Sequence, residues 1–479
     1  MRSLLVLIVC LALAATAAAA EPGSDGIGDL FFPQLGNSGY DAQHYYLQLV
    51  WDEPSNTLAG TVTMQAEARV DLSAFNLDFQ GFEISQIQIN GQPAAFRRDG
   101  RELTIEPAAP LRAGERFSAA VTYRGAPDNS GPACYDVFAC GWMRYERGVY
   151  VASEPDGAAL WYPVNDHPLD KAAYTFEITV PAPLVVAANG LLTATRASGD
   201  TITYIWETAH PIASYLVTVN VGDFVTQTQD GPGGLPIRNY FPADLAETAA
   251  ITFGKTADMI AFFADRFGPY PFEAYGVVVA NTQLGFALET QTLSLFGREA
   301  ALGRSRSENV VAHELAHQWF GNSVSPAQWR DIWLNEGFAT YAAALWLEHT
   351  RGRRALDEYM AGVYLPLANP ILVAGQFSPP GSPPPDSLFN GGVYLRGAWT
   401  LHALRLKIGD EAFFDTLRAY CDRYQYGNAT TSDFIAVAEA TSGLDLADFF
   451  DGWLYAEQVP AVPEMGLKPP GAAPAAQSG

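Results

Sequence analysis

The chain has 479 residues, 48% of them apolar and 17% charged, with no excess of Gly or Pro, so it is globular and long enough for two or three domains. Acidic residues outnumber basic ones 52 to 28, giving a net charge of −24. That balance excludes nucleic acid and anionic membrane surfaces as partners, because like charges repel.

The first 20 residues read as an export signal: Arg2 gives a positive start, residues 4–14 are apolar, and Ala18-Ala19-Ala20 before Glu21 fits an Ala-x-Ala cleavage site. The apolar run is too short to span a bilayer well, and nothing later reads as a span. The expectation is a secreted or periplasmic protein cleaved near Ala20, with no stable membrane insertion afterwards. Of the four cysteines, Cys10 leaves with this segment, and Cys134 and Cys140 lie close together where an oxidising compartment permits a disulfide. The sequence leaves that pairing open. Cys421 then has no partner and reads as a small buried hydrophobe.

Residues 21–230 read as an all-β domain. Leu58, Gly60, Val62, Met64, Ala66, Ala68, Val70 and Leu72 occupy every second position, which predicts one long strand with one buried face. Asn90-Gly91 and Asp99-Gly100 predict hairpins. From residue 231 the periodicity turns helical, as in 252–267 and 398–408, predicting a mainly helical domain over 231–458 with a short strand-like insert at 275–295. The Pro/Ala-rich stretch 459–479 is expected to be a disordered tail. The fold class is therefore multidomain α+β.

His313-Glu314-Leu315-Ala316-His317 carries the chemistry. Residues four apart share a helix face, so two imidazoles can serve one ion, and that pair suits zinc. Ser305-Arg306-Ser307-Glu308 predicts a capping box starting the helix and Gly321-Asn322 its end, placing both histidines mid-helix. Glu336, in Trp333-Leu334-Asn335-Glu336-Gly337-Phe338-Ala339-Thr340, offers the third ligand of a His₂Glu set for one Zn²⁺ ion, and Glu314 stands ready as general base. The histidines at 44, 167, 210, 349 and 402 lack ligand spacing and read as structural.

The run from His313 to Asn322, with Glu336 18 intervening residues after His317 and Trp329-Arg330-Asp331-Ile332 between, resembles the gluzincin aminopeptidases, the family of aminopeptidase N and the leukotriene hydrolase. The resemblance covers nearly the whole mature chain. It implies a saddle-like β domain of antiparallel sheets, a thermolysin-like catalytic domain, and peptide substrates with a free N-terminus. Gly285-Phe286-Ala287-Leu288-Glu289-Thr290 resembles the family's Gly-x-Met-Glu-Asn motif, which implies that Glu289 binds the substrate amine. Tyr394-Leu395-Arg396-Gly397 resembles Tyr-x-Lys-Gly, which implies that Tyr394 stabilises the oxyanion. Glu154, before Pro155, corresponds to a β-domain residue that assists amine recognition. The chain ends early relative to the larger members, so the expectation is a short form without their C-terminal helical domain and with a more open cleft. An epoxide hydrolase or endopeptidase on the same site, or a non-catalytic peptide-binding relative, are the alternatives.

Overall fold

The computed structural model describes residues 20–128, 140–302, 307–369 and 377–470. The expected export signal (but for Ala20), Cys134, and Ser305 and Arg306 of the expected capping box lie outside them.

Strands Tyr40–Asp52, Thr57–Ala68 and Arg116–Gly125 form the middle of an eight-stranded sheet with the order 191–198, 201–207, 173–181, 40–52, 57–68, 116–125, 83–89, 92–93. Neighbours are antiparallel except Ala173–Pro181 against Tyr40–Asp52. In Tyr40–Asp52 alternate side chains are buried, and a bulge between Ala42 and His44 shifts the phase so that Tyr45, Leu47, Leu49 and Trp51 face the core. Two four-stranded sheets complete this region: 21–22, 72–78, 102–106, 95–99, and 141–145, 148–152, 219–222, 185–188. Both expected hairpins form; Asn90 and Gly91 take φ of 51° and 76°, the left-handed pair of a tight two-residue turn.

The alternation from Leu58 to Leu72 does not make one strand. The strand ends at Ala68, Val70 is exposed, and Leu72 opens Leu72–Asp78 in a different sheet. A break that keeps the two-residue phase leaves no trace in the pattern. The division between domains also moves. The expected boundary at 230 puts residues 224–230 in the β domain, yet strand Phe224–Asp230 pairs with Pro236–Pro242 in a five-stranded sheet completed by Tyr275–Ala280, Ser294–Gly297 and Ala287–Leu288. The boundary therefore falls before Phe224 rather than between residues 230 and 231.

The rest of this domain is helical: α1 (Ala246–Thr252), α2 (Thr256–Phe267), α3 (Ser307–Ala316), α4 (Trp333–Arg351), α5 (Arg353–Ala368), α6 (Gly397–Ile408), α7 (Asp410–Tyr424) and α8 (Thr431–Ser442), with α1 and α3 touching the sheet. Every residue of α4 from Trp333 to Trp346 is buried, so this helix is the spine of the domain. It meets α6 at a contact only glycine allows: a Cβ on Gly337 would lie 2.8 Å from the Gly397 Cα. The tail expectation fails for its first part, because Val459 and Val462 are buried, Tyr364 donates to the Pro460 carbonyl (2.8 Å), and Val462 bridges Leu467. Valines among the prolines supply the burial that composition alone hides. Among the described residues no helix is long and apolar enough to cross a membrane.

Candidate metal centre

Helix α3 carries His313 and Glu314, but His317 stands one residue beyond its last α-helical position rather than mid-helix. The bond from His317 N to the His313 carbonyl (3.3 Å) preserves the i, i+4 spacing, and the two rings meet edge-on with centroids 4.7 Å apart. Beyond it the chain tightens and then widens, with Asn322, Ser323 and Val324 each donating five residues back, before Gly321, at φ +118°, lets it reverse. Glu336 enters from the first turn of α4.

The three expected ligands converge. His313 Nε2 lies 3.0 Å from His317 Nε2 and 3.2 Å from Glu336 Oε2, and His317 Nε2 lies 3.6 Å from that same oxygen. His317 Nδ1 donates to the Phe320 carbonyl (3.0 Å), which can only accept, so Nε2 keeps its lone pair. Thr340 Oγ1 stands 3.5 Å from His313 Nδ1. Two imidazole lone pairs and a carboxylate pointed at one spot repel one another unless a cation sits among them. A His₂Glu donor set of this kind fits zinc. Against burial, Glu289 and Glu336 push the pKa of His317 up to about 10, while the two histidines overcome burial to hold Glu336 down at about 2. Both shifts register a cluster that calls for positive charge. Burial lowers His313.

Three more carboxylates share the cavity of about 620 Å³ that holds this cluster. Glu289 directly follows the edge strand Ala287–Leu288, and its carbonyl accepts from Gln318 Nε2 (3.1 Å) and Asn322 Nδ2 (2.7 Å), which ties it to the turn after His317. Glu154 comes from the β domain, just beyond strand Gly148–Ala152. Carboxylate oxygens of Glu154, Glu289 and Glu336 lie within 4.8 Å of one another, as do ligand atoms of Glu289, Glu314 and His317. Oε1 of Glu154 and Oε1 of Glu289 are buried without a hydrogen-bond partner. Burial, reinforced by the neighbouring carboxylates, raises Glu154 well above the ordinary carboxylate range; it raises Glu314 and Glu289 too, where His317 opposes it.

Tyr394 lies in a π-helical turn, Gly392–Arg396, with its ring 6.2 Å from that of His313 and nearly parallel to it. Burial and the surrounding carboxylates keep its phenol protonated. Arg396 anchors the turn by donating to the carbonyls of Trp453 (2.7 Å), Gly452 (3.1 Å) and Ala456 (2.5 Å). The Gly337–Gly397 contact then fixes Tyr394 relative to Glu336. Tyr150, Gln283, Leu284 and Phe389 also line the cavity and were not singled out from the sequence. They come from separate segments with no shared spacing. The remaining histidines have structural partners, such as Asp29 for His167 (3.1 Å) and Tyr341 for His402 (3.1 Å).

The Peptidase M1 N-terminal domain model matches residues 41–216, and the Peptidase family M1 domain model matches 251–453. Glutamyl aminopeptidase of Sus scrofa is 27% identical over 456 residues, covering 86% of this chain and 46% of its own length. Aminopeptidase M1 of Arabidopsis thaliana is 29% identical over 331 residues, covering 64% and 37%. The chain thus spans less than half the length of these curated relatives. The crystal structure of the M1 zinc metallopeptidase from Deinococcus radiodurans is 34% identical with a TM-score of 0.83, covering 94% of this chain and 100% of that one. A mutant of that protein has been solved bound to a Tyr-Ser-Ala substrate, at 33% identity, TM-score 0.83, and coverage of 92% and 100%.

Proposed function

The chain belongs to peptidase family M1, and from that premise we propose that it is an exported zinc aminopeptidase that removes residues one at a time from peptides with a free N-terminus. The observation that carries this reading is that one carboxylate oxygen each of Glu154 and Glu289 is buried without a hydrogen bond, Glu289 Oε1 having only His317 Nδ1 at 3.8 Å, in one cavity with the His₂Glu cluster. Burying carboxylates without partners is costly, and a substrate α-ammonium relieves that cost. The disulfide-bonded state of Cys140 supports an oxidising compartment.

His313, His317 and Glu336 would hold the ion, which when bound supplies Lewis-acid polarisation of the scissile carbonyl and makes water more acidic. Glu314 takes the proton of the attacking water and passes it to the leaving amine. The raised proton affinity that burial gives Glu314 suits a group that must act as base and then as acid. Tyr394, held protonated, donates a hydrogen bond to the developing oxyanion. Glu289 and Glu154 grip the ammonium and set the register.

The cavity also suggests which first residue is accepted. Tyr150, Leu284, Phe286 and Phe389 line it together with four glutamates, and among the described residues no Lys or Arg does. An acidic first side chain finds no counter-charge and meets carboxylates, whereas an aromatic or aliphatic one finds an apolar wall. Although one relative is named for glutamyl residues, the preference proposed here is for apolar and aromatic ones. A panel of aminoacyl amides tests this: Phe, Tyr and Leu amides should turn over far faster than Glu and Asp amides, and a Glu amide among the best substrates would refute the preference.

A further inference from the structure

One β-domain hydroxyl bonds to two segments of the metal centre at once. Tyr215 lies in the single 3₁₀ turn Ser214–Leu216, fully buried, with its ring edge-on to Trp329 at 5.3 Å. Its Oη donates to the Gly321 carbonyl (3.1 Å) and accepts from Asn335 Nδ2 (3.1 Å). Gly321 directly follows Phe320, whose carbonyl fixes the tautomer of His317. Asn335 directly precedes Glu336. One oxygen therefore joins the segments that carry two of the three expected ligands, although it belongs to neither segment nor to their domain.

The junction is tight. A Cβ on Gly321 would sit 3.2 Å from Asn335 Nδ2 and 3.3 Å from His317 Nδ1, so the two segments pack against each other where Tyr215 bonds them. Ser325 Oγ gives the Gly321 carbonyl a second donor. Asn335 has no such reserve: its Oδ1 is buried without a partner, so Tyr215 is the hydrogen-bond anchor of its side chain. A second β-domain residue grips the same turn, with Lys171 Nζ donating to the Asn322 (2.9 Å) and Ser323 (3.0 Å) carbonyls.

We propose that Tyr215 is a positioning residue of the metal centre, setting the separation of the His317 turn and the Glu336 turn from across the domain boundary. It touches neither ion nor substrate. The proposal rests on the His₂Glu reading, and its consequence is that the β domain contributes to metal affinity as well as to amine recognition. Partners that orient metal ligands typically affect metal affinity by roughly 10- to 100-fold.

The test is Tyr215→Phe in the full chain, with zinc affinity measured by competition against a chromogenic chelator. The control is Tyr123→Phe, which removes another buried phenol-to-carbonyl bond (to Trp161, 2.7 Å) inside the β domain. The expected result is roughly 10- to 100-fold weaker zinc binding in Tyr215→Phe, with wild-type affinity in Tyr123→Phe and a comparable fall in melting temperature in both. Unchanged affinity in Tyr215→Phe, or equal weakening in both variants, would overturn the proposal. A wild-type protein that binds zinc but leaves free-amino peptides intact would defeat the aminopeptidase reading and leave the role of Tyr215 standing. A wild-type protein that does not retain zinc would overturn both.

Discussion

Two buried acidic clusters sit at opposite ends of one loop. In the β domain, Arg101 is ringed by Asp156 (2.8 Å), Asp166 (3.2 Å) and Asp78 (3.3 Å). In the cavity, Glu154, Glu289, Glu314 and Glu336 gather around two imidazoles with no Lys or Arg among them. Asp156 and Glu154 are two residues apart, so the first cluster braces the segment that delivers a carboxylate to the second. The structural cluster contains its own cation. Under the proposed function that role falls in the cavity to an ion and a substrate amine, and buried acidic groups without a Lys or Arg beside them set the candidate site apart from the scaffold.

The comparison is broken most forcefully at Glu314. Glu314→Gln should lower kcat by about 10³- to 10⁴-fold with zinc still bound, since only the proton carrier is lost; full activity in this variant would remove Glu314 from the mechanism. Removing the scaffold's cation should instead cost stability. Arg101→Met strands three carboxylates and should destabilise the chain by about 3–5 kcal/mol in denaturant unfolding, and an unchanged midpoint would show that the aspartates need no counter-ion. Glu289→Gln should reduce kcat/KM for free-amino substrates by roughly 10²-fold, because the ammonium loses its charged partner. Equal effects on N-acetylated substrates would argue that Glu289 has another role.

The smallest effect sharpens the scaffold side. Burial outweighs the hydrogen bonds from Ala42 and Asn165 and raises Asp170 to about 7. The unfolded chain releases that proton near pH 4, so between about pH 4 and 7 the folded state binds more protons. The Asp170 contribution is therefore most favourable at low pH and is lost as pH rises through 7. Relative to wild type, Asp170→Asn should gain stability on going from pH 5 to 8, on the order of 2–3 kcal/mol. A pH-independent difference between the two would contradict the shift.

What was legible in the sequence was whatever is encoded locally. The His313–His317 spacing, the two hairpin dipeptides and the helical run of α4 each depend on neighbours in the chain. The motif around Glu289 is legible only through its resemblance to the family's motif, with the glycine step altered. Arg101 and its aspartates were not readable: the four residues are far apart in sequence and each alone resembles a surface charge. Tyr215 was hidden for the same reason, as one of 22 tyrosines. Residues 224–230 fall on the β-domain side of the expected boundary at 230 because a mostly exposed strand leaves no pattern that names the sheet it joins. The turn at His317 was read as helix because the motif specifies ring spacing, which one bonded turn preserves.

The central claim is that the cavity's unpaired carboxylates select a free amino terminus next to a zinc-dependent hydrolytic centre. Hydrolysis of paired peptides, free and N-acetylated, with and without a zinc chelator, tests it most directly. The account predicts turnover of the free peptides alone, lost on chelation and restored by zinc. Cleavage of the acetylated peptides at a comparable rate would contradict it.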